Sequence, residues 1–471
     1  MLNNVQRENL QQGDPNWGNF SAPPSETALA AYGSQMSVNH GQSIDLFVST
    51  TASTVSIDIY RMGWYGGAGA RHITSMGSFP GVNQPQAQPN ASTGMIAENW
   101  ARTATLNVPA NWVSGVYVAR ILSSAGYGTF VTFIVRNDGG HEAISFQTSV
   151  NTWQAYNLYG GTSLYNNETD HSIYHGVHAT KESFDRPFFN GNGTGDFLRF
   201  EYPFLRWLEK NGYDVTYTTD IDTSTNVNPL TNHKMFLVVG HDEYWSKGMR
   251  DNVESAIAHG VNVGFFGGNE AFWQVRYEPS AAGVANRVMV GYKDLSDDPT
   301  SSGGPDPMWN VNNSVLTTLW RDPQVNRPEE QMMGVMFGGE VSNSSPDSEV
   351  PGTINYDMVI QNASNWVYEG TGWTDGTQVP ALVGYEYDHF FNDSQTPANI
   401  TVLSNTPLTN SETGQPDTAN STIYTAPSGA MVFAAGTIQW DWALDSFGGG
   451  PAYVNAGVQR TTANILARFT Q

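Results

Sequence analysis

Four polar side chains arrive together in this 471-residue chain: His241, Asp242, Glu243 and Tyr244, directly after the apolar run Met235–Val239. An imidazole two residues from a carboxylate offers acid–base chemistry, one group to carry a proton and one to orient or neutralise the carrier. Where the chain stays extended past a strand, His241 and Glu243 point to one side and Asp242 to the other. The same set suits a metal site; the plain alternative is a loop whose carboxylates cap the next helix. A second cluster, Asn269 and Glu270, stands after the next apolar run, Val261–Phe266. Glu243 and Glu270 are thereby also candidates for a paired acid and base.

The elements that must position these groups are legible around them. Met235–Val239 and Val261–Phe266 read as buried strands bounded by glycine. Between them Ser246 is placed to cap a helix whose apolar face is Met249, Val253 and Ile257, and Gly260 ends it. Strand, helix, strand in this order predicts two parallel strands whose carboxyl ends share one edge, where open α/β sheets bind ligands. Three histidines, His171, His175 and His178, lie in a stretch without helical period and read as loop histidines. No nucleophile elbow, phosphate-binding loop or dinucleotide fingerprint is present.

Along the chain, residues 1–24 read as an extended lead-in. Residues 25–137 carry short alternating runs, such as Ser43–Ser49, Val55–Tyr60 and Gly115–Ile121, which predict an immunoglobulin-like β-sandwich with a long Gly-, Pro- and Asn-rich insertion at Gly63–Asn99. Residues 138–471 predict an α/β domain with a mostly parallel sheet, including a helix at Phe200–Lys210 with Pro203 in its first turn, strands at Asp214–Thr219 and Met431–Gly436, and a C-terminal helix at Thr461–Phe469. The fold class is α/β plus all-β.

Composition narrows the partners. Twenty-one basic against 44 acidic residues give a net charge of −23, which argues against nucleic acid and anionic membranes. There is no cysteine, which excludes disulfides, thiolate metal sites and thiol nucleophiles. No run reaches membrane-spanning length, and the N-terminus carries no signal-like apolar segment. A surface rich in Asn, Ser and Thr, with only 14% charged residues, suits a secreted protein, with a cytoplasmic location as the alternative. The expected partner is a small-molecule substrate, and a homo-oligomer is compatible with the composition.

Several long motifs carry a resemblance: RMGWYGGAGAR (61–71), NTWQAYN and GGTSLY (151–165), SFDRP (183–187), FLRWLEKNGYDVTYTTDID (204–222), GHDEYWS (240–246), WRDP (320–323) and FAAGTIQWDW (433–442). Together they resemble the N,N-dimethylformamidase large (beta) subunit-like family, in a compact form without the small subunit. The resemblance implies a class I glutamine-amidotransferase-like catalytic fold, hydrolysis of an amide or other non-peptide C–N bond, and a mononuclear ferric iron held by two tyrosines and one glutamate. Carried onto this chain, the glutamate falls on Glu243, the site histidine on His241 and the site asparagine on Asn269. One tyrosine falls on Tyr156, with Tyr165 and Tyr159 as rivals. The other falls on Tyr202, with Tyr244 as its rival. Asp242 and Glu270 remain secondary candidates. The chain is shorter than the family's large subunit, so a second reading stands beside the first: a secreted or surface-attached binding or structural protein with a non-catalytic domain, one option being carbohydrate recognition.

Overall fold

Alternating apolar residues fold the first part of the chain into eight strands: β1 (Leu29–Gly33), β2 (Ser37–Asn39), β3 (Ser43–Thr50), β4 (Thr54–Met62), β5 (Ala70–Pro80), β6 (Ala104–Asn107), β7 (Gly115–Ser123) and β8 (Gly128–Arg136). The computed structural model describes residues 2–165, 178–295, 305–341 and 355–471. One sheet has the order β1-β3-β6 and the other β2-β8-β7-β4-β5. Ile44, Leu46 and Val48 of the first sheet share a core with Ile57, Ile59, Ala119, Ile121 and Phe133 of the second. A two-sheet β-sandwich results, as the period-2 pattern requires.

The insertion at Gly63–Asn99 contains a strand: β5 occupies Ala70–Pro80 within it and pairs with β4. The lead-in, expected to be extended, is not uniformly so. Asn4–Asn9 forms a helix, because Asn3 accepts from the Gln6 backbone N–H at its start and the Gln6 side chain reciprocates.

The second part is built on a seven-stranded sheet with the order Val215–Thr219, Ile144–Thr148, Met235–Gly240, Asn262–Gly267, Met431–Ala434, Pro416–Thr425, Thr401–Thr409. The first five run parallel and the last two add as an antiparallel meander. Helix Lys247–Ala258 begins at Ser246, whose hydroxyl accepts from the Met249 backbone N–H, and buries Met249, Val253 and Ile257 as the periodicity predicts. Helix Tyr202–Lys210 carries Pro203 in its first turn. The C-terminal helix runs Ala456–Phe469. Among the described residues no helix is long and apolar enough to cross a membrane.

The two parts are joined by a buried ion pair. Both Arg61 of β4 and Glu209 of helix Tyr202–Lys210 are fully buried, and the guanidinium meets the carboxylate in a two-point contact at 2.7 and 3.0 Å. Arg61 also donates to the carbonyl of Ser114, while Glu209 accepts from Tyr217 and from Asn9 of the N-terminal helix. Removing one partner leaves the other charge buried without compensation, which costs about 3–5 kcal/mol. Glu209→Ala is therefore expected to lower the unfolding free energy by about that amount, read from the denaturant midpoint at unchanged slope; a loss under about 1 kcal/mol would mean that the pair behaves as an exposed one.

Candidate functional site

Two parallel strands deliver their polar clusters to one edge of the sheet. Strand Met235–Gly240 ends at Gly240, whose φ of +71° turns the chain; a Cβ there would lie 2.1 Å from the Phe200 carbonyl oxygen, so only glycine fits. The loop after strand Asn262–Gly267 is tied to this one through its backbone. Ala271 donates to the Asp242 carbonyl at 2.9 Å, and Phe272 and Trp273 donate to that of Glu243 at 2.9 and 3.0 Å. Asn269 and Ala271 take positive φ angles of 55° and 52° to make this turn, a backbone cost of the kind that concentrates at functional sites. From the other side the Thr152 hydroxyl accepts from the Glu243 N–H at 2.9 Å. Glu243 is thus fixed by its main chain before its side chain makes any contact.

Its carboxylate then collects two phenols. Tyr156 closes the short helix Val150–Ala155, and its hydroxyl donates to Glu243 Oε2 at 2.7 Å. The chain turns back at Gly160-Gly161 and brings Tyr165 beside it, whose hydroxyl donates to Glu243 Oε1 at 2.6 Å. The two hydroxyls are 2.9 Å apart and the rings stack at 4.3 Å. Lys293, itself buried, holds its ammonium 3.3 Å from the centre of the Tyr165 ring and donates to the Leu164 carbonyl. His241 Nε2 lies 3.4 Å from Glu243 Oε2 and 3.2 Å from Glu386 Oε2.

The electrostatics follow from this crowding. Burial lifts both phenols well above their ordinary range, and the charge of Glu243 lifts them further, so they stay protonated and donate. Burial also acts to raise Glu243, but the hydrogen bond and charge of His241, the charge of Lys293 and the Tyr165 hydroxyl outweigh it and hold the carboxyl below its ordinary value. Lys293 is pulled down to about 7 by burial, with Glu243 opposing. Glu386 goes the other way. Burial, then the charges of Glu243 and Glu340, push it well up against a hydrogen bond from Asn269. His241 therefore sits between a carboxyl held below its ordinary value and one pushed well above it.

The remaining expected residues divide clearly. Asn269 joins the site through Glu386, and its backbone N–H donates to Asp388 at 2.9 Å. Tyr244 forms a wall, its ring edge-on to Tyr156 and Tyr165. Asp242 faces away from Glu243, as alternation predicts, and accepts from Gln147 Nε2 at 2.6 Å. Glu270 accepts from the Asp242 N–H at 3.0 Å and so braces the loop instead of pairing with Glu243 as acid and base. Behind the site Asp220, Asp242, Glu201 and Glu270 are all buried and all raised, chiefly by burial; the charge of Asp242 adds to the other three.

Tyr202 is not brought to the cluster. Its hydroxyl donates to the Gly69 carbonyl of the sandwich, and its ring packs edge-on against Trp17 and Phe447. Tyr165, the rival for the other tyrosine, stands as the second phenol. Tyr159 is also elsewhere, donating to Gln86. His178 is buried against the Ala179 carbonyl and pulled down to about 4, by burial and then by Lys293. His171 and His175 lie outside the described residues. Sequence reasoning missed Lys293 and Glu386. Neither carries a local signal, although EYDH at 386–389 is a polar run in a strand, as GHDEY is after one.

Among the described residues no three His, Asp or Glu side chains converge as a metal's ligands. The donors gathered here are different, two phenols and one carboxylate. All three are hard oxygen donors of the kind a small, highly charged cation takes, and such an ion would replace the two protons that Glu243 now accepts. The residues present therefore fit a metal of that class.

A family model described as "N,N-dimethylformamidase beta subunit-like, C-terminal" matches residues 56–455, most of the chain, and the chain belongs to that family. No curated protein matches it. Among solved structures, a cycloisomaltooligosaccharide glucanotransferase from Paenibacillus sp., complexed with cycloisomaltoheptaose, is similar at 14% identity over 27% of this chain and 18% of that one, with a TM-score of 0.16. A likeness this slight carries no argument.

The loop that holds Asn269 has a testable pH signature. Burial raises Asp388 from 3.8 to about 7, against the Asn269 N–H bond and the charge of Arg321. The folded state therefore holds this proton more tightly than the unfolded chain. Its contribution to stability is full below the unfolded value and is lost as pH rises to about 7. Asp388→Asn keeps the acceptor and removes the titration. Its melting temperature relative to the wild type is expected to climb across that window; parallel profiles would contradict the assignment.

Proposed function

We propose that this family member hydrolyses the C–N bond of a small amide, with Tyr156, Tyr165 and Glu243 as the ligands of a ferric ion. The observation that carries the reading is the meeting of two buried phenols on one carboxylate beside the His241–Glu386 pair. The iron is taken from the family resemblance and the second tyrosine from the geometry. The ion would supply Lewis acidity toward the amide carbonyl. The two-sheet sandwich and the parallel run of strands support immunoglobulin-like and glutamine-amidotransferase-like labels for the two parts.

The protein's own groups account for the proton traffic. Hydrolysis forms a C–O bond from water, breaks the C–N bond, and moves one proton from the water to the departing nitrogen. His241 is the carrier: in its neutral form with Nε2 unprotonated it takes the proton as water attacks, and the imidazolium so formed returns it to the amine. Glu243 on one side stabilises the imidazolium. Glu386 on the other side, pushed well above the ordinary carboxyl range by burial, accepts a hydrogen bond from Asn269. The aromatic walls of Tyr156, Tyr165 and Tyr244 exclude bulk water, which strengthens each of these interactions.

The test is amine release from a panel of simple formamides and acetamides by iron-loaded protein. Release is expected, falling by about 10²–10⁴-fold in His241→Ala with iron content unchanged. No release across the panel, or full activity in His241→Ala, would overturn the proposal.

A further inference from the structure

The sandwich is open along one side. β5 and β6 are each one of the two edge strands of their sheets, and between them lies a groove of about 690 Å³, within the roughly 300–1,000 Å³ range of small-molecule sites. It is far in kind from the site above. None of its lining residues is charged, in a chain of net charge −23.

The groove is shaped by irregularities in β5. Pairing with β4 skips two residues of β5, Ile73 and Met76, where the register shifts. A bulge re-aims a side chain, and here both bulged residues line the groove and pack against the sandwich core. Bulges also twist an edge away from further pairing, which disfavours an added peptide strand as the occupant.

The opposite wall carries Trp112. One face of its indole is stacked on Tyr117 at 5.0 Å and 4°, so its plane is fixed before anything binds. Tyr117 is in turn stacked on Phe133 of the core. Beside the indole stand two exposed amides, Asn107 and Asn111. The Asn107 amide oxygen accepts from Ser43 at 2.8 Å.

We propose that this groove is a binding site for a neutral saccharide. An apolar C–H face of a sugar ring would lie on the face of Trp112 turned away from Tyr117, with its hydroxyls bonding to the amides of Asn107 and Asn111. An uncharged lining selects a neutral ligand, the aromatic plane selects a flat apolar face, and the amides select hydroxyls over hydrocarbon. The proposal is independent of the amide-hydrolase reading.

The test titrates the full-length protein with short neutral oligosaccharides, namely β-1,4-glucan, β-1,4-xylan, α-1,4-glucan and chitin fragments, by calorimetry. Binding of at least one is expected, weakened at least about tenfold in Trp112→Ala. Asn111→Ala serves as the second variant, because an exposed amide is removed without disturbing the core; it is expected to weaken the same ligand. No binding by any member, or affinity unchanged in both variants, would overturn the proposal. So would binding of an extended apolar peptide to the groove in place of every sugar.

Discussion

A carboxylate buried without partners is too costly to keep ionised, and the arrangement around Glu243 follows from that constraint. Two phenol hydroxyls, an imidazole and a nearby ammonium converge on it, and together they hold its charge in a place that otherwise expels charge. Each of these groups comes from a different segment. Tyr156 ends a short helix, Tyr165 follows a glycine turn, His241 leaves a central strand, and Lys293 comes from beyond strand Val288–Val290. The site therefore exists only when segments that lie far apart in the sequence, from Tyr156 to Lys293, are folded together.

The buried carboxylates near Glu243 outnumber the cations that could balance them. Asp220, Asp242, Glu201 and Glu270 are all driven toward the neutral form by burial, while Glu243 alone among them is held ionised. The contrast is set by position. Glu243 has His241 and Lys293 beside it; the others have amides and backbone N–H groups, as Asp242 has Gln147 and Asp220 has the Asn151 N–H. Divergent protonation among neighbouring carboxyls is how a site keeps a base and acids at one pH. The sandwich contributes from outside, through Arg61–Glu209 and through the Gly69 carbonyl that engages Tyr202.

Much of this was legible in the sequence where period and punctuation decide structure. The strands Met235–Gly240 and Asn262–Gly267, the Ser246-capped helix and the opposed directions of Glu243 and Asp242 all follow from local pattern. The second tyrosine does not: the sequence places it on Tyr202, with Tyr244 as its rival, and Tyr165 only as a rival to Tyr156. Tyr165 and Tyr202 both stand near elements that approach the sheet edge, and only the turn at Gly160-Gly161 and the docking of helix Tyr202–Lys210 onto the sandwich decide which ring faces Glu243. Lys293 and Glu386 were invisible for the same reason, since their roles arise from contacts across more than 50 residues of sequence. The bulged strand β5 was hidden by its Gly, Pro and Asn neighbours, because pairing with β4 overrides local turn propensity.

The central claim is that Glu243 gathers Tyr156 and Tyr165, and not Tyr202, as the donor set for a hard metal ion. It is tested most directly by the visible absorption of the protein titrated with ferric iron. The account predicts a tyrosinate-to-iron charge-transfer band that is lost or strongly shifted in Tyr165→Phe and unchanged in Tyr202→Phe. A titration that produces no such band, or a band that depends on Tyr202 and not on Tyr165, would contradict it.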